Sequence, residues 1–270
     1  MKTLNALLFS LLFLSVSLST YFPAYADESV TATISETWAS GWVPPTTWKS
    51  VYDKPVIQSE INLELKTGLS WPQTVRLTSW IQNSLQGEGA FNPPAGEMDY
   101  ALGLYGPAFW GANLSTEIRF IDLGNTKGAS VGSFGDCDTL RFRLRVDRPF
   151  KFSEGVHTFT PSLTYFRLEP IMYRPKVEGN VLSTQLDYDW RPWPWFRTTV
   201  GGGYLHDYGV NGCIPADVTS YWISAGLKLY AKYPECWLNG GIRFYDTLDH
   251  PSNRPNRSFN VISINLSAKF

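Results

Sequence analysis

Arg141, Arg143 and Arg145 stand at every second position of Thr139-Leu-Arg-Phe-Arg-Leu-Arg-Val-Asp147. In an extended chain they share one face, about 6.6–6.8 Å apart. Like charges at that spacing repel unless acids or mobile anions answer them. The chemistry on offer is therefore electrostatic: either a salt-bridged interior or a polar passage that favours anions. Catalytic chemistry has thinner support. Gly128-Ala-Ser-Val-Gly132 has the spacing of a nucleophile elbow, yet it lies in a Gly/Ser-rich stretch with no helix after it. His157, His206 and His250 are far apart and do not read as a ligand set. The sequence has no HExxH, CxxC or Walker A motif and implies no metal or cofactor.

The element that positions the three arginines is a strand. Leu140, Phe142, Leu144 and Val146 alternate with them. Strict alternation over that length means one apolar and one polar face, whereas a helix would spread arginine round its circumference. The same period recurs. Ile57, Ile61, Leu63 and Leu65 oppose Gln58, Glu60, Asn62, Glu64 and Lys66; Leu182, Leu186, Tyr188 and Trp190 oppose Gln185, Asp187 and Asp189. Such segments fall near 28–40, 55–67, 70–82, 97–107, 111–123, 138–149, 157–168, 181–191, 196–207, 218–231, 236–247 and 259–270. Each is close to the ~9–11 residues that a tilted strand needs to cross a bilayer. Short connections alternate with long ones, the pattern of short periplasmic turns and long external loops in outer-membrane barrels. The expectation is an all-β, antiparallel transmembrane barrel of about twelve strands, with ten and fourteen as the alternatives.

Continuing the alternation assigns the inward face. It holds Glu60, Glu64, Asp99, Glu117, Asp147, Asp187 and Asp189, with Lys66, Arg76, Arg119, Arg141, Arg143, Arg145, Arg197, Lys228, Arg243 and Lys269. The bases exceed the acids by about three, which gives a mildly positive lumen and an anion preference if water fills it. Acids such as Glu117, Asp187 and Asp189 are the candidates to answer the arginine triplet, and full pairing would instead give a plugged, salt-bridged interior.

Compartment follows from the ends and the composition. In MKTLNALLFSLLFLSVSLSTYFPAYA, Lys2 is the positive n-region, Leu7 to Leu18 the apolar core, and Ala24-Tyr-Ala26 the cleavage signal. The expected division is residues 1–26 as a cleaved signal peptide and 27–270 as one barrel domain. A net charge of −1 excludes the basic stripe of a nucleic-acid binder, and 15% aromatic residues with 17% charged residues exclude a disordered chain. Cys137 and Cys213 both fall in expected outer loops and are the one candidate disulfide pair that this topology allows, with three unpaired thiols as the alternative, while Cys236 lies at the opposite end. Trp71, Trp110, Trp190, Trp195 and Trp237, along with Trp193, cluster at the expected periplasmic turns as an aromatic girdle in contact with outer-membrane lipid. The chain ends on Phe270, which closes an alternating strand and resembles the C-terminal signal read by the barrel-insertion machinery.

At finer grain, Trp38-Ala-Ser-Gly-Trp42, Asp53-Lys-Pro-Val-Ile-Gln58 and Glu97-Met-Asp-Tyr100 resemble the TorF-like porins of Gram-negative bacteria over about the first half of the chain. That resemblance implies an outer-membrane barrel with a pore function. Three readings follow. The first is a porin or small-solute channel, with long loops extracellular and both termini periplasmic. The second is a structural or partner-binding barrel that works through the outer-loop aromatics Trp42, Trp48, Phe91 and Tyr173. The third is a lipid-face enzyme, a lipase or lipid A modifier, built on His206 with Ser220 or Thr219 at the outer rim. An enzyme of that kind needs a nucleophile, a base and an orienting group in contact.

Overall fold

Alternating segments with no long apolar run leave the backbone one way to satisfy its polar groups in lipid: strands that pair on both sides until the sheet closes. The computed structural model describes residues 30–41, 55–85, 97–123, 139–170, 178–208, 217–231, 235–247 and 259–270. In chain order the strands are β1 (Val30–Ala39), β2 (Val56–Lys66), β3 (Thr74–Ser84), β4 (Glu97–Pro107), β5 (Asn113–Leu123), β6 (Thr139–Asp147), β7 (Phe150–Phe152), β8 (His157–Pro170), β9 (Gly179–Trp193), β10 (Phe196–Tyr208), β11 (Asp217–Tyr230), β12 (Glu235–Thr247) and β13 (Phe259–Lys269). β1 pairs with both β2 and β13, and β6 pairs with both β5 and β8, every pair antiparallel. Twelve strands, β1–β6 and β8–β13, therefore form a closed barrel. The three-residue β7 is a ribbon on β8 inside the turn that follows β6. At the seam, Phe270 N–H donates to Ala32 O at 2.8 Å and Ala32 N–H to Phe270 O at 3.1 Å.

The alternation sets the two faces. Leu63, Leu77, Leu102, Ile118, Leu144, Leu163, Leu186, Val200, Ile223, Ile242 and Ile264 all stand exposed on the outside. A continuous apolar belt round a whole barrel is far beyond what water tolerates on a monomer, and lipid is the solvent that suits it. The opposite face is polar and more shielded: Arg141 is 5% exposed while Phe142 beside it is 38% exposed.

Short and long connections sort to opposite ends. β2–β3, β4–β5, β6–β8, β9–β10 and β11–β12 are joined by short turns, and β1 begins and β13 ends on that same side. The third strand starts at Thr74 rather than near residue 70, because Trp71-Pro72 sits in the turn and proline has no N–H for the ladder. Two 3₁₀ turns, Phe109–Gly111 and Ser153–Gly155, complete the short end. Towards the long-loop end, the inner wall carries an apolar cluster of Phe166, Leu168, Val181, Leu205, Trp222 and Tyr245, with Val261 against it. Trp222 fits only because residue 203 has no side chain: a Cβ there would lie 2.1 Å from the indole and 2.6 Å from Thr184 O.

Candidate functional site

The inner face is built from residues that the ladder brings side by side. Glu117 on β5 lies opposite Arg143 on β6, and Arg119 lies opposite Arg141. Two arginines facing each other need a shared anion, and Glu117 supplies it. Its Oε1 is 3.1 Å from Arg141 Nη2 and 3.1 Å from Arg119 Nε, and its Oε2 is 3.1 Å from Arg143 Nη2. Arg119 Nη1 also reaches Asp99 Oδ2 on β4 at 3.1 Å. Tyr105 extends this wall: its hydroxyl is 3.3 Å from Arg143 Nη2 and its ring lies 4.5 Å under Arg76. Gly103 makes room for that ring, since a Cβ would come within 2.7 Å of it. Arg76 Nε donates to Glu64 Oε1 at 2.6 Å, and Arg145 Nε is 3.4 Å from Asp147 Oδ1.

Asp187 and Asp189 do not answer the arginine triplet. Both are on β9, and β8 intervenes with the short inward side chains Ser162 and Thr164. Asp189 Oδ1 instead holds Arg197 Nη2 at 2.6 Å, and Asp187 Oδ2 accepts from Gln185 Nε2 at 2.6 Å. Glu60 Oε1 accepts from Asn62 Nδ2 at 2.5 Å. Arg243 Nη1 reaches Tyr245 OH at 3.4 Å. Each of the ion pairs named here joins one strand to itself or to its neighbour.

Three acids lie outside the sequence tally, two of them deeply buried. The parity of β4 and β10 puts Glu97 and Asp207 inside, 6% and 1% exposed, and they largely offset the positive surplus. Glu235 joins them at the short-turn rim, 3.5 Å from Lys269 Nζ. Charge remains unevenly distributed. β4 to β6 carry the Glu97, Asp99, Glu117, Arg119, Arg141 and Arg143 group, among which Glu97 Oε2, Asp99 Oδ1, Arg141 Nε and Arg143 Nε have no hydrogen-bond partner among the described residues. Six places round the barrel, β10 to β13 present Gly201, Ser224, Gly226, Asn239, Gly241, Ser263 and Asn265, with Arg243 and Lys228 set singly among them and Asp207 buried near the long-loop end.

The aromatic girdle needs one correction. Trp71, Trp110, Trp190, Trp193 and Trp195 are exposed at the short-turn end, with Trp193 and Trp195 stacked at 5.3 Å. Trp237 is not part of this ring. On β12 the outward positions are Leu238 and Ile242, so Trp237 turns inward, where Lys228 Nζ lies 4.1 Å from its ring and 4.6 Å from that of Tyr230. A second ring, Trp38, Tyr100, Tyr165, Tyr204 and Tyr208, is exposed towards the long-loop end. Cys137, Cys213, residues 1–26 and the Gly128–Gly132 motif lie outside the described residues; Cys236 is a free, half-buried thiol.

On the outer face His206 Nδ1 is 3.0 Å from Thr219 Oγ1, while Ser220 points to the other side of the same strand. Alternation also concealed Glu36. It shares its face with Ile34 and Trp38, sits across the ladder from Ser59 and Leu266, and accepts from Ser59 Oγ at 2.6 Å.

No family model matches the chain, and no curated protein matches its sequence. Solved structures do share its shape. The NanC porin superposes with a TM-score of 0.52 at 9% identity, over 88% of this chain and 100% of that one. An outer-membrane channel from Pseudomonas putida F1 gives 0.54 at 8% identity, over 90% and 96%. The translocator domain of autotransporter NalP from Neisseria meningitidis gives 0.53 at 12% identity, over 98% and 97%. A porin, a channel and a translocator are thus equally near in shape, so function has to be argued from the interior. What these likenesses establish is the fold, that of an outer-membrane β-barrel.

Proposed function

We propose that this chain is an outer-membrane channel for small polar solutes, as its resemblance to the TorF-like porins implies, exported with residues 1–26 as a cleaved leader. One observation carries the reading: the dense carboxylate–guanidinium cluster closes along one side, on β4–β6, while the inner face opposite, on β10–β13, is lined mostly by glycine, serine and asparagine with Arg243 and Lys228 as separate cations among them. A plug held by salt bridges would pair charges across the lumen, whereas these pairs close along one side. The buried carboxylate and guanidinium atoms without a hydrogen-bond partner among the described residues are places for ordered water on this wall. Anions follow the arginine side, and Glu97 and Asp207 keep the preference weak.

The purified barrel in a planar bilayer is expected to conduct with weak anion preference. Replacing Arg141, Arg143 and Arg145 together with glutamine should move the reversal potential towards cation preference. A wild-type barrel without conductance would overturn the channel reading and favour the structural or partner-binding class.

Orientation belongs to the same proposal: long loops outside, turns and both termini in the periplasm, and the strand ending at Phe270 presented to the insertion machinery. An epitope placed within residues 210–215 should be labelled on intact cells, and one at Lys151–Glu154 only after the membrane is opened. The reverse pattern would invert the topology.

A further inference from the structure

The outer wall is not uniformly convex. Two neighbouring rows of the ladder cross β6, β8, β9 and β10: Val146, Leu163, Thr184 and Tyr204 in one, and Arg148, Pro161, Leu186 and Gly202 in the next towards the short turns. Pro161, Thr184 and Gly202 are too small to fill the surface between Leu163, Leu186 and Tyr204. The result is an apolar groove of about 540 Å³ on the lipid side. Its lower end is different in kind. Arg148 is exposed there, its guanidinium 4.9 Å from the ring centre of Phe150, and it has no acidic partner among the described residues. Phe150, Phe152 and Phe159 surround that end, each exposed, as aromatic side chains are at the boundary between headgroups and acyl chains.

An apolar channel that starts at a single cation has the outline of one lipid. We propose that the groove is a binding site for a phospholipid of the periplasmic leaflet. The phosphate pairs with Arg148, and one acyl chain runs up past Pro161, Thr184 and Gly202. Guanidinium matches phosphate through paired N–H donors, and burying the chain removes apolar surface that the bare wall leaves irregular. The choice of phospholipid over lipopolysaccharide rests on the orientation proposed above, because Arg148 lies at the short-turn rim. Whether the lumen conducts has no bearing on it.

The test uses the full-length barrel in detergent, titrated with phosphatidylglycerol and observed by native mass spectrometry. Wild type should retain one lipid. Arg148→Gln should weaken retention about tenfold, the size of one lost charge-assisted hydrogen bond. Thr184→Leu, which fills the groove with an apolar side chain on a lipid-facing position, should abolish retention without affecting the heat-resistant folded band. Ala225→Leu, on the lipid face of β11, should change nothing. Equal retention by wild type and Thr184→Leu would mean general annular lipid and overturn the site. Lipopolysaccharide displacing phosphatidylglycerol would also overturn it; inverted epitope labelling would instead remove the orientation from which the lipid class was chosen.

Discussion

Glu117→Gln is expected to destabilise the folded barrel by about 3 kcal/mol, the lower end of what removing one partner of a buried ion pair costs. The reason is stoichiometric. Glu117 is a single carboxylate, 5% exposed, in contact with Arg119, Arg141 and Arg143. Asp99 is ion-paired only to Arg119 among these, so neutralising Glu117 leaves Arg143 with no carboxylate in contact and Arg141 with only the more distant charges of Asp99 and Glu97. Arg143→Leu should cost much less, since Glu117 keeps its other two arginines. The measurement is the denaturant midpoint of the refolded barrel, with Arg141→Met added to Glu117→Gln. If the charge argument is right, that second change restores part of the loss, because the two residues are coupled rather than additive. A Glu117→Gln midpoint within about 0.5 kcal/mol of wild type would mean that the arginines are already balanced by water or ions.

The sequence made the barrel legible because its signal is repeated. One alternating segment fits many folds, but segments of bilayer length joined by turns of alternating length fit a closed transmembrane sheet. Every such segment, 28–40 through 259–270, has its strand. What alternation does not carry is the partner of each charge. That Asp189 binds Arg197 and leaves Arg145 to Asp147 depends on which strands are neighbours and on the stagger between them. Glu97 was missed because it stands at the very start of β4, next to a long connection, where the period has only just begun. Trp237 is a related case: it stands close to a turn, where girdle residues gather, but the parity of Leu238 and Ile242 turns it inward. Glu36 is the converse case, a carboxylate in phase with Ile34 and Trp38 that a count of polar positions would assign to the lumen.

Leu144→Arg is the substitution expected to prevent assembly. Leu144 lies at the centre of β6, 45% exposed, opposite Thr116 on β5 and Tyr165 on β8, within the apolar belt. Arginine at the bilayer midplane of a barrel costs about 2–4 kcal/mol, against about 0–1 near the interfaces. Here snorkelling gives little relief, because the nearest rim on the same strand is separated from residue 144 by Leu140 and Phe142 on one side and Val146 on the other. The control is the adjacent residue. Arg143→Leu changes the same backbone by one position yet alters only the inner face, so it should insert and remain heat-modifiable in gels. Comparing the inserted fraction of the two variants separates the faces directly. Equal loss from both would mean that β6 is buried on both sides, as in a soluble sandwich; normal insertion of Leu144→Arg, with Arg143→Leu inserting at least as well as wild type, would mean that the register is shifted by one residue, with every side chain of the strand on the other face.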